Sequence, residues 1–207
     1  MQHTQSLVGQ DGPVAYTAIV LAGGASRRFA EAGASLNKLT LAREGRTLLA
    51  GIIDGLHEGK AAQIIVVGQQ QPDLPPGVSW TFEVPTRGGP AAGLAAGLEL
   101  AACEVTVVLA GDAPRGPLAV TALVAALDRA NSSIDGVILS DESGLLQPLC
   151  AAYRTAALRS ALKSMSDLTG ASMRTLIERL NLEPLPDEWR AAVDIDTPTD
   201  AARDGYS

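Results

Sequence analysis

The strongest constraint on this chain is an alternation of short apolar β-type runs with segments of helical spacing. Residues 63–67, 105–110 and 136–140 are rich in valine, isoleucine and leucine, and residues 17–21 form a shorter run of the same kind. Each run is strand-sized and apolar at successive positions, as in parallel strands buried on both faces. Residues 47–58 place Leu48, Leu49, Ile52, Ile53 and Leu56 at helical spacing. The segments 90–102 and 117–130 each open on proline, whose missing N–H costs nothing in a first helical turn. Further strands are expected at 79–84, 145–149 and 192–195, further helices at 155–163 and 172–180, and a closing helical turn at 198–203. Residues 69–77, with three prolines, read as loop. The β-α-β-α order predicts a mostly parallel sheet with helices on both faces and right-handed crossovers.

Such sheets take ligands at the carboxyl ends of their strands. Three loops therefore share one candidate crevice: those after Leu21, Val67 and Ala110. The first runs from the apolar strand through Gly23 and Gly24 to Arg27, Arg28 and, beyond, Lys38. Glycines let the main chain approach a ligand closely. Free N–H groups with cations nearby suit phosphate oxygens. A strand-ending turn with surface arginines is the competing account. The third loop carries Asp112 in Gly111-Asp112-Ala113-Pro114. An aspartate there is a natural ligand for Mg²⁺, or a turn residue capping its own backbone. Residues Arg87 to Leu94 form a second glycine-rich entry to a helix, suited to an anion, a flat base or close packing on the sheet. Near the C-terminal end, Asp194 and Asp196 close the expected strand 192–195. Alternate strand residues face the same way, so both carboxylates would point into the crevice. Asp196 or Thr197 could also cap the helix opened by Pro198.

Composition excludes several classes. The formal net charge of −7 argues against a broad nucleic-acid face while allowing a local positive pocket. Two cysteines, Cys103 and Cys150, match no zinc or redox spacing and read as buried thiols. His3 and His57 lie in unrelated contexts. Neither a signal peptide nor a membrane-length apolar run is present, which points to a cytoplasmic protein. The polar residues 1–13 read as a mobile leader, and 14–207 as one domain. The core must be aliphatic, because hydrophobic residues make up 46% of the chain and aromatics only 3%. The P-loop pattern, the G-x-G-x-x-G fingerprint and the G-x-S-x-G elbow are all missing, so a nucleotide would need another loop type.

Leu21-Ala22-Gly23-Gly24-Ala25-Ser26-Arg27-Arg28, Lys38, Gly89-Pro90-Ala91-Ala92-Gly93, Asp112-Ala113-Pro114 and Asp194-Ile195-Asp196-Thr197-Pro198 occur in one order. Across about residues 16–203 that order resembles the molybdenum cofactor guanylyltransferases. Gln147-Pro148-Leu149 with Tyr153-Arg154 is similar to that family's substrate-side region. The chain departs from the family in three places. Phe29-Ala30 replaces the usual Met-Gly, the path from Gly24 to Lys38 is longer, and Glu83 stands one step from the usual acid. The resemblance implies a three-layer α/β/α, Rossmann-like nucleotidyltransferase fold. It implies GMP transfer from GTP to the terminal phosphate of molybdenum-molybdopterin, with Mg²⁺ and with transient contact to molybdenum enzymes. Leu21, Ala22, Gly23 and Gly24 would hold the nucleotide. Asp112 would hold Mg²⁺, with Asp196 or alternatively Asp194 as second ligand. Lys38, with Arg28, would offset charge on the leaving pyrophosphate. Cytidylyl transfer, transfer to another phosphorylated acceptor, and nucleotide binding without turnover are the alternatives.

Overall fold

A computed structural model describes residues 13–23, 41–71, 74–83 and 88–207. Residues 1–12 of the expected leader 1–13 and the segment carrying Gly24, Arg28 and Lys38 lie outside the described residues. Nine strands and six helices are described: β1 (Tyr16–Leu21), β2 (Ala42–Arg43), β3 (Arg46–Thr47), α1 (Leu48–Glu58), β4 (Gln63–Val67), β5 (Val78–Thr81), α2 (Pro90–Leu100), β6 (Val105–Ala110), α3 (Gly116–Arg129), β7 (Gly136–Ser140), β8 (Leu146–Arg154), α4 (Thr155–Lys163), α5 (Met173–Ile177), β9 (Leu182–Pro186) and α6 (Pro198–Arg203).

Seven strands form one sheet in the order β5-β4-β1-β6-β8-β7-β9. All neighbouring pairs are parallel except those of β8, which runs against both β6 and β7. The expected mostly parallel sheet between two helical layers is what forms. Alternation along β1 divides the core: Ala18 and Val20 face the layer of α1 and α3, whereas Ile19 faces that of α2, α4 and α5. Thr47 starts α1 by accepting a hydrogen bond from Ala50 N at 3.3 Å, and the predicted leucines and isoleucines make its buried face. α2 lies unusually close to the sheet. A Cβ on Gly97 would stand 2.8 Å from Ile19 Cγ2, so this small-residue helix is built for close packing.

Four expectations are corrected. No strand forms at 192–195. Asp187 accepts hydrogen bonds from Trp189 N, Ala191 N and Ala192 N at 3.2, 2.9 and 3.0 Å, and this winds the chain into turns. The last strand is instead β9. β8 continues to Arg154 rather than ending at 149, and α5 covers only part of 172–180. Cys150 is a buried free thiol as expected, but Cys103 is only half-buried. Among the described residues, no helix is long and apolar enough to cross a membrane.

Candidate active site

Because β4, β1 and β6 are neighbours, their carboxyl ends fall in line: Leu21 pairs with Val67 on one side and Ala110 on the other. Hydrogen bonding runs on past the strands. Ala22 N donates to Val67 O at 2.8 Å, Gly111 N to Leu21 O at 2.9 Å, and Gly68 N to Thr81 O at 2.9 Å. Ala22 is wedged between two glycines. A Cβ on Gly68 (φ +143°) would meet its carbonyl carbon at 2.8 Å, and one on Gly111 its Cα at 3.0 Å. The three loops thus form one floor that only glycine permits. The Glu83 carboxylate also reaches this floor, 3.8 Å from where a Gly23 Cβ would be.

Asp112 follows β6 by two residues, and its carbonyl accepts from Ile195 N at 2.9 Å. Ile195 is fully buried, so this bond anchors the C-terminal segment to the β6 loop. On its far side the segment is held by a capping box. Thr197 Oγ1 accepts from Asp200 N at 3.2 Å, and Asp200 Oδ2 accepts from Thr197 N at 3.0 Å. Thr197, not Asp196, is therefore the cap, and both Asp194 and Asp196 are left beside Asp112. One carboxylate oxygen from each of the three lies within 4.8 Å of the others. Three hard anionic donors at that spacing fit a divalent cation such as Mg²⁺. The two candidates for second ligand, Asp194 and Asp196, both meet Asp112. The placement of Gly24, Arg28 and Lys38 relative to this cluster lies outside the described residues.

A cavity of about 360 Å³ opens beside the cluster. Asp112 and Asp194 line it together with Gln147, Pro148 and Leu149, and Arg174 supplies its only cation among the described residues. Cys150, next in the chain after Leu149, is buried. Burial, reinforced by Asp187 and Asp194, pushes its thiol well up, so it stays protonated and is no nucleophile. Three contributors escaped the reading of the residues: Asp187, Asp141 and Arg174. Only Asp141 left a signal, in the turn-forming run Asp141-Glu142-Ser143-Gly144.

A glycine floor and an acidic cluster at the carboxyl edge of a parallel sheet suit an enzyme of the nucleotidyl-transferring class. The chain belongs to the family of the MobA-like NTP transferase domain, which matches residues 18–184. In fold it is similar to a nucleotidyl transferase from Methanothermobacter thermautotroptrophicus, with 20% identity and a TM-score of 0.72 over 92% of this chain and 96% of that one. It is also similar to 2-C-methyl-D-erythritol 4-phosphate cytidylyltransferase from Thermus thermophilus (20% identity, TM-score 0.61, 92% and 97% of the two chains). A third likeness is to the inositol-1-phosphate CTP transferase from T. maritima (14% identity, TM-score 0.68, 91% and 92%). No curated protein matches the chain.

Proposed function

We propose that this enzyme transfers GMP from GTP to the terminal phosphate of molybdenum-molybdopterin. A phosphate oxygen of the acceptor bonds to the α-phosphorus, the bond to the bridging oxygen breaks, and pyrophosphate leaves. The supporting observation is the meeting of Asp112, Asp194 and Asp196 beside the floor made by Ala22, Gly23 and Gly111. In-line attack between two anions needs alignment and charge neutralisation more than a proton carrier. Main-chain groups at Leu21, Ala22, Gly23 and Gly24 hold the nucleotide. Asp112, Asp194 and Asp196 hold Mg²⁺, which when bound offsets charge on phosphate oxygens. Lys38 and Arg28 would offset charge on the leaving pyrophosphate. Arg174, the cation that lines the same cavity, attracts the anionic acceptor.

Cytidylyl transfer is the second reading. Asp194-Ile195-Asp196-Thr197-Pro198 also resembles the cytidylyl-transferring branch, and two of the structurally similar enzymes are cytidylyl or CTP transferases by name. Leu21-Ala22-Gly23-Gly24 favours the guanylyl branch. Pyrophosphate release from GTP, CTP and ATP with molybdopterin as acceptor, alongside thermal shifts with Mg²⁺, separates the two. GTP alone is expected to stabilise and react. Stabilisation and turnover with CTP alone reverse the base assignment.

A further inference from the structure

One stretch of the cavity lining, Leu146 to Leu149, falls at an irregularity in β8. Pairing of β7 with β8 runs from Gly136–Tyr153 to Ile138–Ala151, then jumps to Leu139–Gln147. Pro148, Leu149 and Cys150 therefore stand opposite a single step of β7. Pro148 suits the bulge, having no N–H to give a ladder. Buried Tyr153 holds it there, its hydroxyl donating to Pro148 O at 3.0 Å. Bulges re-aim side chains, and this one turns Gln147 to Leu149 onto the cavity.

The Gln147 amide is held in one sense. Its Nε2 donates to Asp141 Oδ2 at 3.2 Å and to Leu145 O at 3.4 Å. Both neighbours can only accept, so the amide must offer them its NH₂. That leaves Oε1, an acceptor, as the atom available to a ligand. The other Asp141 oxygen, Oδ1, accepts from Ser143 N, Ser143 Oγ and Leu145 N at 2.9, 2.6 and 3.0 Å. These bonds, the Ser143 hydroxyl first, hold the Asp141 carboxyl below its ordinary range and keep it an acceptor.

We infer, on the reading that this cavity receives the acceptor, that Gln147 selects molecules bearing an N–H or O–H donor beyond their phosphate, and that Asp141 is the positioning residue that sets the polarity of that contact. Asp141→Asn is a clean probe. It keeps Oδ1 and its three turn bonds but turns Oδ2 into an NH₂ group. The Gln147 NH₂ then meets a donor in place of its nearer acceptor and keeps only the longer 3.4 Å contact to Leu145 O, which favours rotation of the amide, its oxygen toward the new donor and its NH₂ toward the cavity.

The experiment titrates molybdopterin, inositol 1-phosphate and butyl phosphate calorimetrically into the wild type, Asp141→Asn and Gln147→Met, with Mg²⁺ and a nonhydrolysable triphosphate. Butyl phosphate has no donor beyond its phosphate. The wild type is expected to bind at least one donor-bearing phosphate about tenfold more tightly than butyl phosphate, the margin of one neutral hydrogen bond. Both variants should lose that margin while binding butyl phosphate as the wild type does. A margin that survives in both variants, or a wild type with none, overturns the assignment. Which donor-bearing compound carries the margin distinguishes a heterocyclic acceptor from a polyol. Pyrophosphate release in parallel separates this inference from the transfer reaction. A margin without pyrophosphate from any triphosphate defeats transfer alone. Turnover whose acceptor KM neither variant moves defeats the Gln147 assignment alone.

Discussion

Replacing Gly68 by alanine tests whether the loop after β4 and the turn after β1 share one rigid floor. The new Cβ would stand 2.8 Å from the Ala22 carbonyl carbon, 2.9 Å from its oxygen and 3.0 Å from Gly23 N. These are main-chain atoms, and Ala22 N is tied to Val67 O at 2.8 Å, so they cannot swing aside as a side-chain tip would. Ordinary contact begins at 3.4 Å, and reaching it displaces Ala22 and Gly23 together. Overpacking of this kind costs about 1–3 kcal/mol. A non-glycine residue at φ +143° adds about 1–3 kcal/mol more. Gly45 is the control: its φ is +78°, but nothing lies within 4 Å of its Cβ position. Gly45→Ala therefore carries only the backbone cost, about 1–2 kcal/mol. Urea unfolding should show Gly68→Ala losing about 2–6 kcal/mol, more than Gly45→Ala loses. Calorimetry should show its Kd for GTP rising more than about tenfold, with the Gly45→Ala value unchanged. If Gly68→Ala is no less stable than Gly45→Ala and binds GTP as the wild type does, the shared floor is wrong.

Asp112→Asn should lower Mg²⁺-dependent pyrophosphate release by about a hundredfold or more, without lowering the melting temperature in metal-free buffer; unchanged rates reject the metal assignment. Thr197→Ala, which removes the α6 cap, should cost about 1 kcal/mol by urea unfolding. The Asp200 carboxyl is held below its ordinary value of 3.8, chiefly by the Thr197 hydroxyl. Because the folded value is the lower one, its stabilising effect is present above pH 3.8 and fades as the pH falls through the folded value. The melting difference between wild type and Asp200→Asn should therefore be full at neutral pH and close in acid; a gap that widens toward low pH contradicts the sign. Tyr153→Phe takes the hydroxyl from Pro148 O at a cost of about 1 kcal/mol and should raise the acceptor KM but not the triphosphate KM; equal changes in both would count against a role for the bulge on the acceptor side.

Where burial on both faces decides structure, the residues alone were enough. The runs 63–67, 105–110 and 136–140 match β4, β6 and β7 residue for residue. β9 was hidden by Pro184 and Pro186, which an edge strand tolerates because only one of its sides pairs, here with β7. The second half of β8, Cys150-Ala151-Ala152-Tyr153-Arg154, is short of β-branched residues and is a strand because β6 and β7 flank it. Asp112 was legible as an acid just past a buried strand. Its meeting with Asp194 and Asp196 was expected, but what brings it about was not legible: one long-range bond from Ile195 N and the Asp187 turn. The alternation expected of a strand gave the right partners for Asp112 by the wrong local geometry.

The lone reversed strand has a consequence for how enzymes on this plan diversify. The hairpin joining β7 to β8 needs no helix to bring the chain back, so its turn at Asp141 to Leu145 overhangs the same rim where the parallel strands end. Lengthening or recolouring that short turn alters the cavity lining beside Gln147 while the floor made by Ala22, Gly68 and Gly111 stays untouched. The two halves of the chemistry can therefore drift separately, one conservative in its main chain and the other free to retune its side chains.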